Sequence, residues 1–112
     1  MMLKPYDEQE ALAMLPLLGA ITQEIKERTS ALEIIDIEIE ALGSMTPLDR
    51  EALRDAVAEA ATHRRELRHA NSELEQLGCS VVGTEPLTLR IPGRIGEARH
   101  SFVWQAGDPV LK

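Results

Sequence analysis

Apolar residues recur at helical spacing through the first two thirds of the chain. They alternate at intervals of three and four, the period of a seam along one side of a coiled-coil helix. The first seam comprises Leu18, Ile21, Ile25, Arg28, Leu32, Ile35, Ile39 and Leu42. The second seam comprises Leu53, Ala56, Ala60, His63, Leu67, Ala70, Leu74 and Leu77. The pattern predicts two long helices in a left-handed coiled coil.

Polar and breaking residues set the limits of the first helix. Asp7 followed by Glu10 is the pattern of a capping box, in which each residue satisfies an amide of the other. Gly43 follows the last seam position and favours a helix end. We therefore predict a helix over residues 8–42, with a kink near Pro16 because proline lacks the N–H of a helical hydrogen bond.

The second helix opens and closes in the same way. Thr46 is a favourable N-cap, Pro47 suits the first helical position, and Gly78 suits the end. These signals predict a helix over residues 47–77. The linker between the helices is so short that the second helix must return antiparallel to the first.

An antiparallel return predicts facing residues whose numbers have a constant sum. Ile35 then faces Ala56, and Arg28 faces His63, so both polar seam positions fall in one layer. This layer has two interpretations. One is an anion-binding or pH-sensing site, since imidazole titrates near neutrality. The other is a register-setting polar layer with counter-charge from Glu24, Glu27 or Glu66, and we favour it because an unpaired buried arginine is costly.

The last third of the chain changes character after Gly78. Three short segments favour strands: 80–82, 87–91 and 100–104, with Pro92–Gly93 as a break and 94–98 as a loop. We predict a small β-hairpin or meander over residues 79–112, packed on the first helix near Leu12, Leu15 and Leu18. The fold class is therefore mainly α: a helical hairpin over residues 1–78 with a C-terminal β tail.

A second apolar strip lies outside the seams. Its members are Ile34, Ile37, Ala41, Val57 and Ala61. An isolated hairpin would leave them in water and would bury little surface. We predict that two copies associate through this strip as a homodimeric four-helix bundle.

Composition narrows the possible functions. The net charge is −7, and aromatic residues make up only 3% of the chain. The negative charge argues against nucleic-acid binding. The scarcity of aromatic residues argues against an enzyme with a deep, aromatic-lined pocket. Cys79 is the single cysteine, so we expect no intrachain disulfide and a cytoplasmic protein. No apolar run suits a signal peptide or a membrane span. We also expect no metal site and no cofactor, because His and Cys lack ligand spacing.

Charge is unevenly distributed along the chain. Residues 1–42 hold 9 acids and 3 bases, whereas residues 79–112 hold 3 acids and 4 bases. Residues 63–69 form a basic cluster with two interpretations. One is a docking patch for an acidic partner or a phosphate. The other, which we favour, is pairing with the acidic first helix of the same chain or of a second copy. In the β tail, the candidate anion-binding residues are Arg90, Arg94, Arg99, His100 and Trp104. The competing interpretation is that these charges protect an exposed sheet edge.

Both ends of the chain carry a recognisable pattern. Residues 6–16 read YDEQEALAMLP, and the tail contains LTLRIP followed by FVWQAGDP. These segments resemble the bacterial domain of unknown function 2203 family. Two positions depart from that family's pattern: Arg90 stands where an acid is frequent, and Val103 where a cysteine is frequent. The resemblance implies a helical hairpin with a small β tail, and it implies no activity.

The function predicted from the sequence is that of a non-enzymatic, homodimeric coiled-coil module acting through protein contacts, with itself and with an unidentified protein partner. The alternative is a binding protein or an enzyme that takes an anion or another small ligand through the β tail. No nucleophile with an adjacent base is recognisable in the chain.

Overall fold

Two helices and three strands follow one another along the chain. The structure is a computed structural model that describes residues 5–43 and 47–112, with the side chains of residues 47 and 48 left aside. The elements are α1 (Glu8–Ala41), α2 (Pro47–Gln76), β1 (Ser80–Thr84), β2 (Leu87–Ile95) and β3 (Ala98–Gln105). Both predicted helices are confirmed, each ending one residue before its expected bound. The predicted N-cap Thr46 lies outside the described residues.

The start of α1 is fixed by the predicted capping box. The Glu10 amide donates to Asp7 Oδ1 at 2.8 Å, and the Asp7 amide donates to Glu10 Oε1 at 3.1 Å. These bonds satisfy donors that have no partner within the helix. The helix then continues through Pro16 to Ala41. The kink at Pro16 stays a prediction.

The end of α2 is a Schellman motif centred on Gly78. Its φ is +80°, a left-handed conformation that glycine adopts without a Cβ clash. The Cys79 amide donates to the Leu74 carbonyl at 2.9 Å, and the Gly78 amide donates to the Glu75 carbonyl at 2.9 Å. The chain leaves the helix here and enters β1, as the sequence predicted.

The three strands form an antiparallel sheet in the order β1-β2-β3. The tail is therefore a three-stranded meander rather than a two-stranded hairpin. β1 carries an irregularity between Val81 and Gly83. On the outer edge of β3, Val103 and Lys112 exchange backbone hydrogen bonds of 2.9 and 2.8 Å.

The predicted break at Pro92–Gly93 and loop at 94–98 are wrong, because β2 runs on to Ile95 and β3 begins at Ala98. Pro92 lies opposite Ser101, and its carbonyl accepts a 3.0 Å bond from the Tyr6 amide on the other side of β2. Within a β-strand, the backbone nitrogen and the carbonyl of one residue point toward the same neighbouring strand, here the segment at Tyr6. The missing N–H of Pro92 therefore removes no hydrogen bond to β3.

Glycines shape the hairpin between β2 and β3. Gly96 has a φ of +61° in the two-residue turn, where a type II′ turn requires a positive φ. At Gly93 an added Cβ would overlap the Phe102 ring and lie 3.0 Å from the His100 carbonyl oxygen. Phe102 thus packs directly on the bare backbone of β2.

The chain divides into two compact units. The sheet unit contains the described residues up to Gln23 together with Asn71–Lys112, and the hairpin unit contains the described residues of Glu24–Ala70. The expected division at Gly78 marks the end of helical structure, whereas compactness groups both helix ends with the sheet. Leu18 is fully buried in the sheet unit, whereas Leu12 is 39% exposed, and the packing of the tail near these residues stays a prediction.

The core of the sheet unit combines large side chains from α1, β2 and β3. Leu18, Leu89 and Ile91 have no exposed surface, and Phe102 and Trp104 are nearly as buried. The inner face of β2 and β3 supplies four of these five side chains, at alternating positions along the two strands.

The core of the hairpin unit is a narrow row between two helices. Ile35 packs with Ala56 and Ala60, and half-buried Leu32 and Ile39 pack against them. These contacts establish the predicted antiparallel register of α1 and α2. They join large residues of α1 to small residues of α2.

Candidate functional site

The outer face of the sheet carries a concavity of about 520 Å³. Register places Pro92 opposite Ser101, with Arg90 two residues before Pro92 and Arg99 two residues before Ser101. Alternation along the strands puts these four side chains on one face, away from the buried Leu89 and Ile91. The described residues that line the concavity are Pro5, Gly78, Arg90, Pro92, Gly93, Arg99, His100 and Ser101.

The segment before α1 is hydrogen-bonded along the edge of β2. Tyr6 forms a parallel bridge with Gly93, and the Arg94 amide donates to the Tyr6 carbonyl at 2.9 Å. The Tyr6 hydroxyl donates to the Leu77 carbonyl at 3.0 Å. Burial, followed by the charges of Cys79 and Glu10, raises the pKa of Tyr6. This anchoring places Pro5 in the wall of the concavity.

Arg94 lies directly opposite Arg99 on the same outer face. Arg94 is half-buried, and its Nε has no hydrogen-bond partner among the described residues. The backbone amide of Glu10 is the main reason that the pKa of Asp7 lies below its ordinary value, and the positive charge of Arg94 acts in the same direction. Arg94 is therefore electrostatically linked to the start of α1, and it does not line the concavity.

The other two predicted ligand residues lie on the inner face of the sheet. The His100 ring packs edge-on against Phe102, with 4.9 Å between ring centroids. Trp104 is buried, and its Nε1 donates to the Asp108 carbonyl at 2.6 Å. The sheet thus places the three arginine side chains on one face and the two rings on the other, although His100 also contributes to the lining of the concavity. Trp104 is consequently an indirect reporter of events in the concavity.

Sequence reasoning missed five of the lining residues: Pro5, Gly78, Pro92, Gly93 and Ser101. Ser101 could have been found, because it is two residues from Arg99 in a strand that alternates. Pro5 and Gly78 are brought to the sheet by backbone pairing between distant segments, which local patterns do not encode.

The predicted polar layer is present in the hairpin unit. Arg28 Nη1 lies 3.0 Å from His63 Nδ1, and Arg28 Nε lies 2.9 Å from Glu24 Oε1. Glu59, which the sequence did not suggest, has Oε1 3.8 Å from His63 Nε2. The Glu24 hydrogen bond is the main cause that raises the pKa of Arg28. Because an arginine only donates, His63 Nδ1 is the acceptor in this arrangement.

The basic cluster of α2 pairs in part with the acidic first helix. Arg64 Nη2 lies 2.9 Å from Asp36 Oδ1, both side chains being about half-exposed. This contact agrees with the intramolecular interpretation of the cluster. Such an exposed pair contributes little stability, about 0–1 kcal/mol.

The predicted dimer residues are exposed but lie on two different flanks. Val57 is seven residues, or about two turns, from Arg64, so it shares the flank of the Arg64–Asp36 pair. Ile34 is two residues from Asp36, about 200° around α1, and faces the other way. We name Ile34, Ile37 and Ala41 the α1 strip, and Val57 and Ala61 the α2 strip.

Neither a reactive thiol nor a metal centre is found in the part of the chain that the structure describes. Cys79 is buried, and this burial raises the pKa of its thiol to about 11. Among the described residues, no group of three or more His, Cys, Asp or Glu side chains could hold a metal ion. The helices described are also not long and apolar enough to span a membrane.

Fold and site together define a small, mainly helical protein whose antiparallel sheet carries an arginine-lined concavity. The chain belongs to the family described as Uncharacterized conserved protein (DUF2203), whose model matches residues 4–112. This match confirms the resemblance seen at the two ends of the sequence. No curated protein and no solved structure matches the chain.

Proposed function

We propose that this protein is a non-enzymatic interaction module that associates with a second copy of itself through the hairpin unit. The observation that carries the proposal is the exposure of Ile34 and Ile37, each 68% accessible on α1. Burying one such side chain contributes roughly 1.5–3 kcal/mol. Within the described residues the hairpin unit has two helices, so another surface is needed to cover both isoleucines.

Charge favours a second copy as the occupant. The α1 strip is bordered by acids, namely Glu33, Glu38 and Glu40. The α2 strip is bordered by bases, namely Arg54, Arg65 and Arg68. Two α1 strips placed together would bring like charges into contact, which costs affinity. The α1 strip of one copy therefore fits the α2 strip of another.

This pairing places four helices side by side, as in the four-helix bundle and coiled-coil assembly expected from the sequence. Because the two strips face different flanks, one contact joins the copies head to tail. A homodimer is then the smallest assembly. The proposal also includes a cytoplasmic location. The buried, protonated thiol of Cys79, which forms no disulfide, supports it.

Light scattering coupled to size exclusion tests the association. Wild-type protein at micromolar concentration should have at least twice the chain mass. Ile37→Glu and Val57→Glu each place a carboxylate in one strip, so every contact between copies of either variant includes a damaged strip, and each variant alone should be a monomer. Val82→Glu is the matched control, since Val82 is 56% exposed in the sheet unit. Circular dichroism checks that all variants keep their helices.

Mixing the two hairpin variants distinguishes the arrangements. Ile37→Glu retains an intact α2 strip, and Val57→Glu retains an intact α1 strip, so an equimolar mixture should form a one-to-one heterodimer. A monomeric wild-type protein would overturn the proposal. Wild-type mass in Val57→Glu alone, with no heterodimer in the mixture, would instead indicate contact between two α1 strips and contradict the head-to-tail arrangement.

A further inference from the structure

We infer that the outer face of the sheet binds a small ligand through an oxyanion, either a phosphoryl or a carboxylate group. The proposed site is the concavity over the Pro92–Ser101 pair, with Arg90 and Arg99 as its charged groups. It lies in the sheet unit, and it is independent of the self-association proposed for the hairpin unit.

The charges on this face are unbalanced. Arg90 and Arg99 are exposed, and neither forms an ion pair within the part of the chain that the structure describes. Arg94 lies directly opposite Arg99, and like charges at facing positions destabilise a sheet pair. An anion bound on the outer face beside Arg99 would offset the repulsion between Arg94 and Arg99.

The concavity has the shape of a small-ligand site. Pro92 and Ser101 occupy its middle, while Arg90 and Arg99 lie at diagonal positions on either side of them. Pro5 and Gly78 supply walls from two other parts of the chain. Its volume of about 520 Å³ lies within the range of sites that hold small molecules.

The donors present select an oxyanion. A guanidinium group offers a planar fork of N–H donors that matches two oxygens of a phosphoryl or carboxylate group. The Ser101 hydroxyl adds a donor between the two forks. Among the described residues, no carboxylate lines the concavity, which disfavours a cation.

Arg94 strengthens this electrostatic preference without touching the ligand. Its buried Nε lacks a partner among the described residues, and its positive charge acts on Asp7 at the start of α1. Arg94 lies four residues from Arg90, about 13 Å along the strand. The outer face therefore carries positive charge at both ends of the Pro92–Ser101 pair.

The test is an NMR titration of the backbone amides with inorganic phosphate and, separately, with citrate. At least one anion should produce saturable shifts centred on Gly93, Arg99 and Ser101. Arg90→Gln and Arg99→Gln should each weaken this binding about tenfold, the amount expected for losing a charged hydrogen bond. Arg68→Gln is the matched control, because it removes the same charge from an exposed position of α2 and should leave binding unchanged.

The comparison of anions identifies the group that is bound. Saturation by phosphate alone assigns a phosphoryl site, and saturation by citrate alone assigns a carboxylate site. The absence of saturable shifts with both anions at millimolar concentration would overturn the inference, as would equal weakening in Arg68→Gln. Ile37→Glu should bind as the wild type does, so failure of the self-association proposal leaves this result interpretable.

Discussion

The sheet unit and the hairpin unit hold their structures in different ways. The sheet unit buries large side chains, Ile91 and Trp104 among them, and joins segments that are far apart in sequence. The hairpin unit buries a row in which Ile35 meets two alanines, and it leaves Ile34 and Ile37 in solvent. Among the described residues, the two most exposed large apolar side chains, Ile34 and Ile37, belong to the unit with the narrower core.

This difference explains where each kind of candidate surface lies. A closed core with a polar outer face can present fixed side chains around a concavity, as at Arg90 and Arg99. Two helices with incomplete burial instead present apolar strips that another protein can cover. Three predictions test the contrast, and they follow in order of decreasing effect.

Replacement of Ile91 by alanine should destabilise the protein most. Ile91 has no exposed surface, and its removal should cost about 4 kcal/mol because the tightly packed sheet unit cannot collapse into the cavity. Ile35→Ala should cost about 2 kcal/mol, because the half-buried Leu32 and Ile39 beside it can shift into the space. Urea unfolding followed by circular dichroism measures both values. An equal or larger cost for Ile35→Ala would break the comparison.

A single methyl group at two glycines should have opposite effects. Gly93→Ala should destabilise the protein by about 2 kcal/mol, because the Cβ overlaps the Phe102 ring. Gly19→Ala should stabilise it by about 1 kcal/mol, since nothing lies within 4 Å and alanine favours the helix. Thermal unfolding at matched concentration compares the two variants. Tolerance of Gly93→Ala would show that the inner face is looser than the structure indicates.

The third effect is absent at neutral pH and appears only at alkaline pH. Burial raises the pKa of Cys79 to about 11, so the unfolded thiol loses its proton at lower pH than the folded one. Stability should therefore fall as pH rises from the ordinary thiol range toward 11. Cys79→Ala removes this contribution, and unfolding of both proteins across that range isolates it. Identical slopes would show that the thiol is not held in an apolar site.

The helices could be predicted because their signals are local. The capping pair Asp7–Glu10, the glycine at position 78 and the seam spacing each act within a few residues. The contact between Arg28 and His63 followed from register, since an antiparallel return fixes which positions face each other. The strands were less predictable. Proline at position 92 indicated a break, but its backbone faces Tyr6 rather than β3, so the strand continues through it.

The candidate site was only partly predictable. The sequence named Arg90, Arg94 and Arg99 as candidates, but only the strand register places the three on one face and His100 and Trp104 on the other. The sequence alone did not reveal that strand register would set Ser101 beside Pro92. It also did not reveal that the α1 strip and the α2 strip face different flanks.

Sequence by itself determined the two helices, their antiparallel register and the polar layer, because side chains a few residues apart on a helix share one face. Tertiary structure decided the extent of β2, the pairing register of the strands and the lining of the concavity. Those features depend on backbone hydrogen bonds between Tyr6 and β2 and between β2 and β3. Pairing between distant segments is set by the whole core, so no local pattern specifies it.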